Sequence, residues 1–268
     1  MNMCLQHNDC LYNIFNQLDI KNLLKCSFVC KQFFNVSRHE LLWKKLYHFN
    51  IPCRQHYYQT FKQLNKLNQF LLRYTHRSIN ETSSLQRLHL YNKQLKTIPS
   101  TLSQLNLQYL DLSDNQLTNI ATLDQCQQLQ YLYLSCNQLT NIAALSQCQQ
   151  LRKIYLDRNQ LTDISVLSQC QQLQILDLSH NQLTDISALG QCQQLRYLFL
   201  NHNQLTDIAV LGQCQQLQIL YLDHNQLTDI SVLSQCQQLQ ILDLIHNQLT
   251  DISLLKLSQL LNLTKIFF

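Results

Sequence analysis

Apolar residues recur along most of this chain with two alternating spacings. From Leu107 the sequence reads LQYLDLSDNQLTNIATLDQCQQ, and 22-residue copies start again at Leu129, Leu151, Leu173, Leu195 and Leu217 without insertion. Within a copy, Leu110 and Leu112 are two apart, which is strand spacing, and both point to the same side. Leu117, Ile120 and Leu123 then continue inward as the chain turns back. A fixed period of this length predicts a solenoid, because one unit cannot bury its apolar face without its neighbours. Asn115, Asn137, Asn159, Asn181, Asn203, Asn225 and Asn247 occupy one position per turn. An inward amide there satisfies backbone groups that a tight bend leaves unpaired and bridges adjacent turns.

The pattern LxxLxLxxN resembles the leucine-rich-repeat family, in the 22-residue class shared by bacterial internalins and a eukaryotic phosphatase regulator. With irregular copies at both ends it spans residues 85–268, about eight repeats plus a final strand. The resemblance implies an α/β fold: a right-handed solenoid with a parallel, concave sheet. The first repeat departs from the pattern, with Lys93 where the Asn series would begin. The repeat from Leu239 is two residues longer than the others and leads to Leu263, Ile266 and Phe268, the start of one more strand without a polar cap after it.

Ahead of the repeats the spacing changes. Residues 9–47 read as short amphipathic helices, with Leu11, Ile14, Phe15 and Leu18 on one face and Asp19 and Ser37 as caps. The order LxxIFxxLDxxxLxxxxxVCKxF followed by LWKKL resembles the F-box, the all-α module that docks on the Skp-type adaptor of cullin-based ubiquitin ligases. Carried over from that family, the adaptor-binding or module-packing positions are Leu11, Ile14, Phe15, Leu18, Val29, Cys30, Leu42, Trp43 and Leu46. Two departures stand out: Gln6 and His7 replace the family's Leu-Pro, and Phe33 replaces a common Trp. The predicted organisation is an F-box domain over residues 1–50, a helical linker and cap over 51–84, and the solenoid over 85–268. In the linker, Tyr57, Phe61, Leu64, Leu67, Phe70 and Leu71 have helical spacing, and INETSS reads as a loop.

Charge sharpens this division. The chain of 268 residues carries a formal +4, but residues 1–82 hold 11 Lys/Arg against 4 Asp/Glu and the remainder 9 against 12. The basic excess is scattered among apolar helix positions, which argues against nucleic acid as a partner. No run approaches the ~20 apolar residues of a membrane span, and the N-terminus lacks a signal core. Of twelve cysteines, Cys126, Cys148, Cys170, Cys192, Cys214 and Cys236 share one inward repeat position. They read as buried reduced thiols in a reducing compartment, cytoplasmic or nuclear, although turns ~5 Å apart do not exclude disulfides by distance. The repeated QCQQ reads as a solvated outer face. Asn119, Asn141, Asp163, Asp185, Asp207 and Asp229 read as caps of outer-face turns.

No catalytic motif is present: no Gly-rich phosphate loop, no HExxH and no nucleophile elbow. His180, His202, His224 and His246 form one column. They could share a transition metal, but exposed rings copied with the repeat are favoured, and no metal or cofactor is expected. Two outward strand columns carry more information. One is Asp111, Tyr133, Tyr155, Asp177, Phe199, Tyr221 and Asp243; the other is Tyr109, Tyr131, Lys153, Ile175, Tyr197, Ile219 and Ile241. An aromatic and aliphatic face with spaced charges predicts protein binding. The expected contacts are Tyr109, Tyr131, Tyr133, Tyr155, Tyr197, Phe199 and Tyr221, with Arg152, Lys153 and Arg158 setting specificity. The F-box and repeat resemblances together imply the substrate receptor of a Skp–cullin–F-box ubiquitin ligase, which would act in a host cytosol if the chain is a bacterial effector. A ligase-independent scaffold or regulatory subunit is the alternative.

Overall fold

A computed structural model describes residues 66, 69–75, 86–250, 260 and 262–268. The chain divides into two compact units, 1–84 and 85–268. In the first unit the described residues 66 and 69–75 are helical, in keeping with the spacing of Phe70 and Leu71. Leu71 is fully buried, and the Thr75 hydroxyl donates to the Leu71 carbonyl one turn back. The predicted helices of residues 9–47 and the INETSS loop lie outside the described residues.

The second unit is built on a parallel sheet of nine described strands in chain order: β1 Arg87–His89, β2 Tyr109–Asp111, β3 Tyr131–Tyr133, β4 Lys153–Tyr155, β5 Ile175–Asp177, β6 Tyr197–Phe199, β7 Ile219–Tyr221, β8 Ile241–Asp243 and β9 Lys265–Phe267. Constant spacing sets a constant register, so Leu110, Leu132, Ile154, Leu176 and their equivalents align on the inner face. Only the last pairing, Ile241 with Lys265, reflects the longer repeat. Backbone bonding between turns continues past each strand, as in Leu112 N–H to the Tyr133 carbonyl and Asp114 N–H to the Ser135 carbonyl.

From β1 to β8, the return side of each described turn is a five-residue 3-10 helix, such as Ala121–Gln125 and Ser165–Gln169. Its cause is in the sequence: Ile120, Leu123, Cys126 and Leu129 are three apart. Three residues per turn superimposes side chains at i and i+3, so all four face inward, whereas the 3.6-residue α-helix would rotate them away. All four are buried, and Cys126 N–H and Leu129 N–H bond three residues back. The predicted caps act from one residue ahead of the N-cap, which is Ile120 or Ile164 in these two helices and carries no side-chain cap of its own, and bond the first helical N–H. Asp163 Oδ1 accepts from Ser165 N–H at 2.7 Å, and Asn119 from Ala121 N–H at 2.6 Å.

Two ladders run through the core. Each Asn binds both its own turn and the preceding one: Asn181 Oδ1 accepts from Leu161 N–H, and its Nδ2 donates to the Leu156, Leu178 and Ser179 carbonyls. At the first repeat, Asn115 accepts from Lys93 N–H, so the backbone of the irregular turn is satisfied without an Asn of its own. The six cysteines are buried and free, and the thiols of Cys148, Cys170, Cys192, Cys214 and Cys236 face carbonyls of the turn before, as in Cys192 Sγ to the Leu167 oxygen at 3.3 Å. Burial pushes Cys126, Cys170 and Cys236 up to about 11 and Cys148, Cys192 and Cys214 up to about 12. These thiols are protonated at neutral pH and behave as small apolar side chains.

Candidate target-binding face

The outward residues of the strands are half-buried and line up in the two expected columns. Asp111, Tyr133, Tyr155 and Asp177 pair successively, then Phe199, Tyr221 and Asp243. Beside them run Tyr109, Tyr131, Lys153, Ile175 and Tyr197. The aromatic residues fall into two groups. In the first, Tyr133 stacks on Tyr155 with ring centres 4.8 Å apart and planes within 6°, while Tyr109 lies 5.1 Å from Tyr133 and 6.4 Å from Tyr131. Cations border it: Arg87 sits over Tyr109 and Lys153 over Tyr131. In the second group Phe199 meets Tyr221 edge to face at 5.3 Å. Tyr197 lies between Ile175 and Ile219 in register, outside both aromatic groups.

Between the groups stands Asp177. Burial raises its proton affinity, opposed by the hydroxyl and N–H of Ser179. The acids of this column also serve the backbone: Asp111, Asp177 and Asp243 each accept from the N–H two residues on. Part of their charge is therefore spent on closing the strand end, a role that the surface reading of the sequence missed. The tyrosine hydroxyls of Tyr109, Tyr133 and Tyr155 are pushed above their ordinary value, by burial first and by neighbouring acids and tyrosines after it. They remain neutral hydrogen-bonding groups on an apolar body.

The turn starting at Leu151 is less uniformly open than its composition suggests. Arg152 and Arg158 are exposed at opposite ends of β4, whereas Lys153, Tyr155 and Asp157 are half-buried between them. Asp157 also accepts the Ser135 hydroxyl. The adaptor-binding expectation rests on Leu11, Ile14, Phe15, Leu18, Val29, Cys30, Leu42, Trp43 and Leu46, which lie outside the described residues.

After each of β2–β8 the chain turns through a residue with positive φ: Asp114, Cys136, Arg158, His180, His202, His224 and His246, at 52–57°. With only two glycines in the chain, ordinary side chains take this costly conformation. The compensation is a bond from their own N–H to the next turn, as in Arg158 to the Ser179 carbonyl and His202 to the Asp223 carbonyl. His180, His202 and His224 stack at 4.1 and 4.0 Å between ring centres, and His246 lies 4.3 Å from His224 with its plane tilted by 54°.

Comparison with known proteins agrees with this architecture. The leucine-rich-repeat family matches in overlapping two-repeat windows from residue 105 to 257, and an F-box-like domain matches residues 8–48. Among solved structures, internalin C2 from Listeria monocytogenes is 32% identical, with a TM-score of 0.67, covering 71% of this chain and 83% of that one. An internalin (inlF) from the same organism is 31% identical with a TM-score of 0.62, over 65% of this chain and 52% of that one, so the chain spans about half its length. The functional domain of InlJ, also from Listeria monocytogenes and described as including a cysteine ladder, shares the fold at 23% identity and a TM-score of 0.56, over 71% of this chain and 45% of that one. No curated protein sequence matches the chain. Among the described residues no helix is long and apolar enough to cross a membrane.

Proposed function

The chain belongs to the leucine-rich-repeat family, with an F-box-like domain ahead of the repeats, and we propose that it is the substrate-recognition subunit of a Skp–cullin–F-box ubiquitin ligase. The observation that carries this reading is the F-box-like match over residues 8–48 in one chain with a sheet face bearing two aromatic groups. In this reading residues 1–50 dock on a Skp-type adaptor through Leu11, Ile14, Phe15, Leu18, Val29, Cys30, Leu42, Trp43 and Leu46. The linker over 51–84 joins that module to the repeats. The sheet face then holds a target protein through Tyr109, Tyr131, Tyr133, Tyr155, Tyr197, Phe199 and Tyr221. Arg152 and Arg158, at the two ends of β4, and Lys153 between them discriminate among targets.

The contribution to ubiquitin transfer is proximity: the target is held near the ubiquitin-carrying enzyme, and the chain supplies no reacting group. Such a subunit works in the cytoplasm or nucleus, where adaptor and cullin are found. The likeness to Listeria internalins supports a variant in which the chain is a bacterial effector acting in a host cytosol. It equally supports a ligase-independent scaffold, which would share the sheet face but not the adaptor.

Binding of a purified Skp-type adaptor to the full chain tests the proposal. The expected result is a stable complex that Ile14→Asp abolishes while the repeat unit keeps its unfolding transition, since solenoid stability is set by nearest neighbours. An adaptor that ignores the chain, or binds the Ile14→Asp variant equally well, overturns the ligase assignment and leaves the scaffold.

A further inference from the structure

The histidine column gains a feature from the fold that its sequence pattern lacks. His202 and His224 close the turns after β6 and β7 and stack at 4.0 Å with planes 19° apart. Between them, in chain order, stands Asp223, half-buried beside the exposed edge of the stack. Its Oδ2 lies 3.0 Å from His224 Nδ1 and 3.9 Å from His202 Nε2, and one donor atom from each of the three residues lies within 4.8 Å of the others. The equivalent position holds serine at 113, 135 and 179, asparagine at 201 and isoleucine at 245. Its other carboxylate, Asp157, adjoins Cys136 and Arg158 in the turn column instead of imidazoles. Of the described residues, only Asp223 brings a carboxylate to two rings of this column.

We propose that His202, Asp223 and His224 form a binding site for a divalent transition-metal ion of the zinc type. Two imidazole nitrogens and one carboxylate oxygen are the donor set such an ion takes, with the fourth tetrahedral position left to water. Zinc bonds of ~2.0–2.2 Å at tetrahedral angles require donors about 3.4 Å apart. The distances to Asp223, 3.0 and 3.9 Å, bracket that value. The imidazole pair must close further, and the rings must tilt out of their stack, because a bound ion lies in the plane of each ring. Histidine χ2 is a soft torsion; His224 is exposed, while His202, half-buried between the His180 and His224 rings, has to turn together with them. The backbone supplies the rest of the preorganisation, since His202 N–H is anchored on the Asp223 carbonyl at 3.0 Å.

Calorimetric titration of the full chain with Zn²⁺, after alkylation of its accessible thiols, tests the site. The expected result is one saturable equivalent in the wild type. Asp223→Asn and His224→Asn should each weaken it at least about tenfold, no less than the loss of an outer partner of a metal ligand costs. Asparagine tolerates positive φ, so the turn at 224 keeps its shape, and Asp223→Asn decides the matter should His224→Asn unfold. His246→Asn should leave binding unchanged. Absence of saturable binding in the wild type, or equal affinity in Asp223→Asn, overturns the assignment; so does an equal loss in His246→Asn, which would mean diffuse capture by the whole column.

Discussion

The inside of the solenoid repeats one solution and the sheet face does not. Asn, Leu, Ile and Cys return at the same inward positions turn after turn, while the paired outward positions change from Asp to Tyr to Phe and from Tyr to Lys to Ile. The inner columns are constrained on every side. An Asn amide serves one N–H and three carbonyls in two turns, and a thiol is packed against carbonyls of the turn before. Apart from Asp111, Asp177 and Asp243, which close their strand ends, the outer columns have only their strand neighbours to satisfy. Variation there is cheap for folding, which is why the face is free to be shaped by a partner.

The largest effect expected of any single substitution lies inside. Asn181→Ala strands the Leu161 N–H and removes donors from three carbonyls, and should cost about 3 kcal/mol or more in urea unfolding. Gln182→Ala, exposed next to it, should stay within about 0.5 kcal/mol. Equal effects would erase the contrast between the two surfaces.

The cysteine ladder gives the second test, through pH. An unfolded thiol titrates near its ordinary value of 9.0, and the buried ones at about 11–12. Between these limits the unfolded state has lost protons that the folded state keeps, so stability is full below pH 9 and falls as pH rises toward 11–12. The slope is about 1.4 kcal/mol per pH unit for each thiol. Cys170→Ala should flatten the alkaline limb by one such increment even though it loosens the core. In the native protein at neutral pH the six thiols should resist alkylation and react on denaturation. Rapid native labelling of all six would contradict their burial.

On the sheet face the order reverses. Tyr155→Ala and Phe199→Ala should weaken target capture by ~1–3 kcal/mol, and cost folding about 1 kcal/mol from lost ring contacts. Gln171→Ala and Gln193→Ala, exposed on the return side, should do neither. Capture lost through the glutamines and untouched by the aromatic changes would move the binding surface to that side.

The smallest effect concerns the turns. Arg158 holds φ at 53°, where a side chain costs roughly 1–2 kcal/mol and glycine does not. Arg158→Gly should therefore raise thermal stability by about 1 kcal/mol while reducing discrimination among targets, a separation that a purely structural arginine would not show.

Much of this was legible because the period never slips. A constant 22-residue spacing leaves one register available, so the columns Asp111–Tyr133–Tyr155 and Tyr109–Tyr131–Lys153 follow from counting, as does the burial of Cys126 and its equivalents. Turns on the outer face were also readable, though not their helix type, which the structure shows to be 3-10, in keeping with the three-residue spacing of Ile120, Leu123 and Cys126. The double duty of Asp111, Asp177 and Asp243 was not, because an acid that closes a turn and an acid that faces solvent look alike in a string. Nor was the meeting of Asp223 with His202, whose contact crosses 21 residues and depends on ring rotamers. The F-box positions from Leu11 to Leu46 rest on the family match over residues 8–48.

The most direct measurement is affinity purification of the full chain from eukaryotic lysate in three forms: wild type, Ile14→Asp, and Tyr155→Ala with Phe199→Ala. Wild type should bring down the Skp-type adaptor, a cullin and a target. Ile14→Asp should lose the first two and keep the target, and the aromatic variant should do the reverse. Loss of all three partners together in either variant, or no adaptor with the wild type, would contradict a receptor that joins a ligase through one unit and a target through the other.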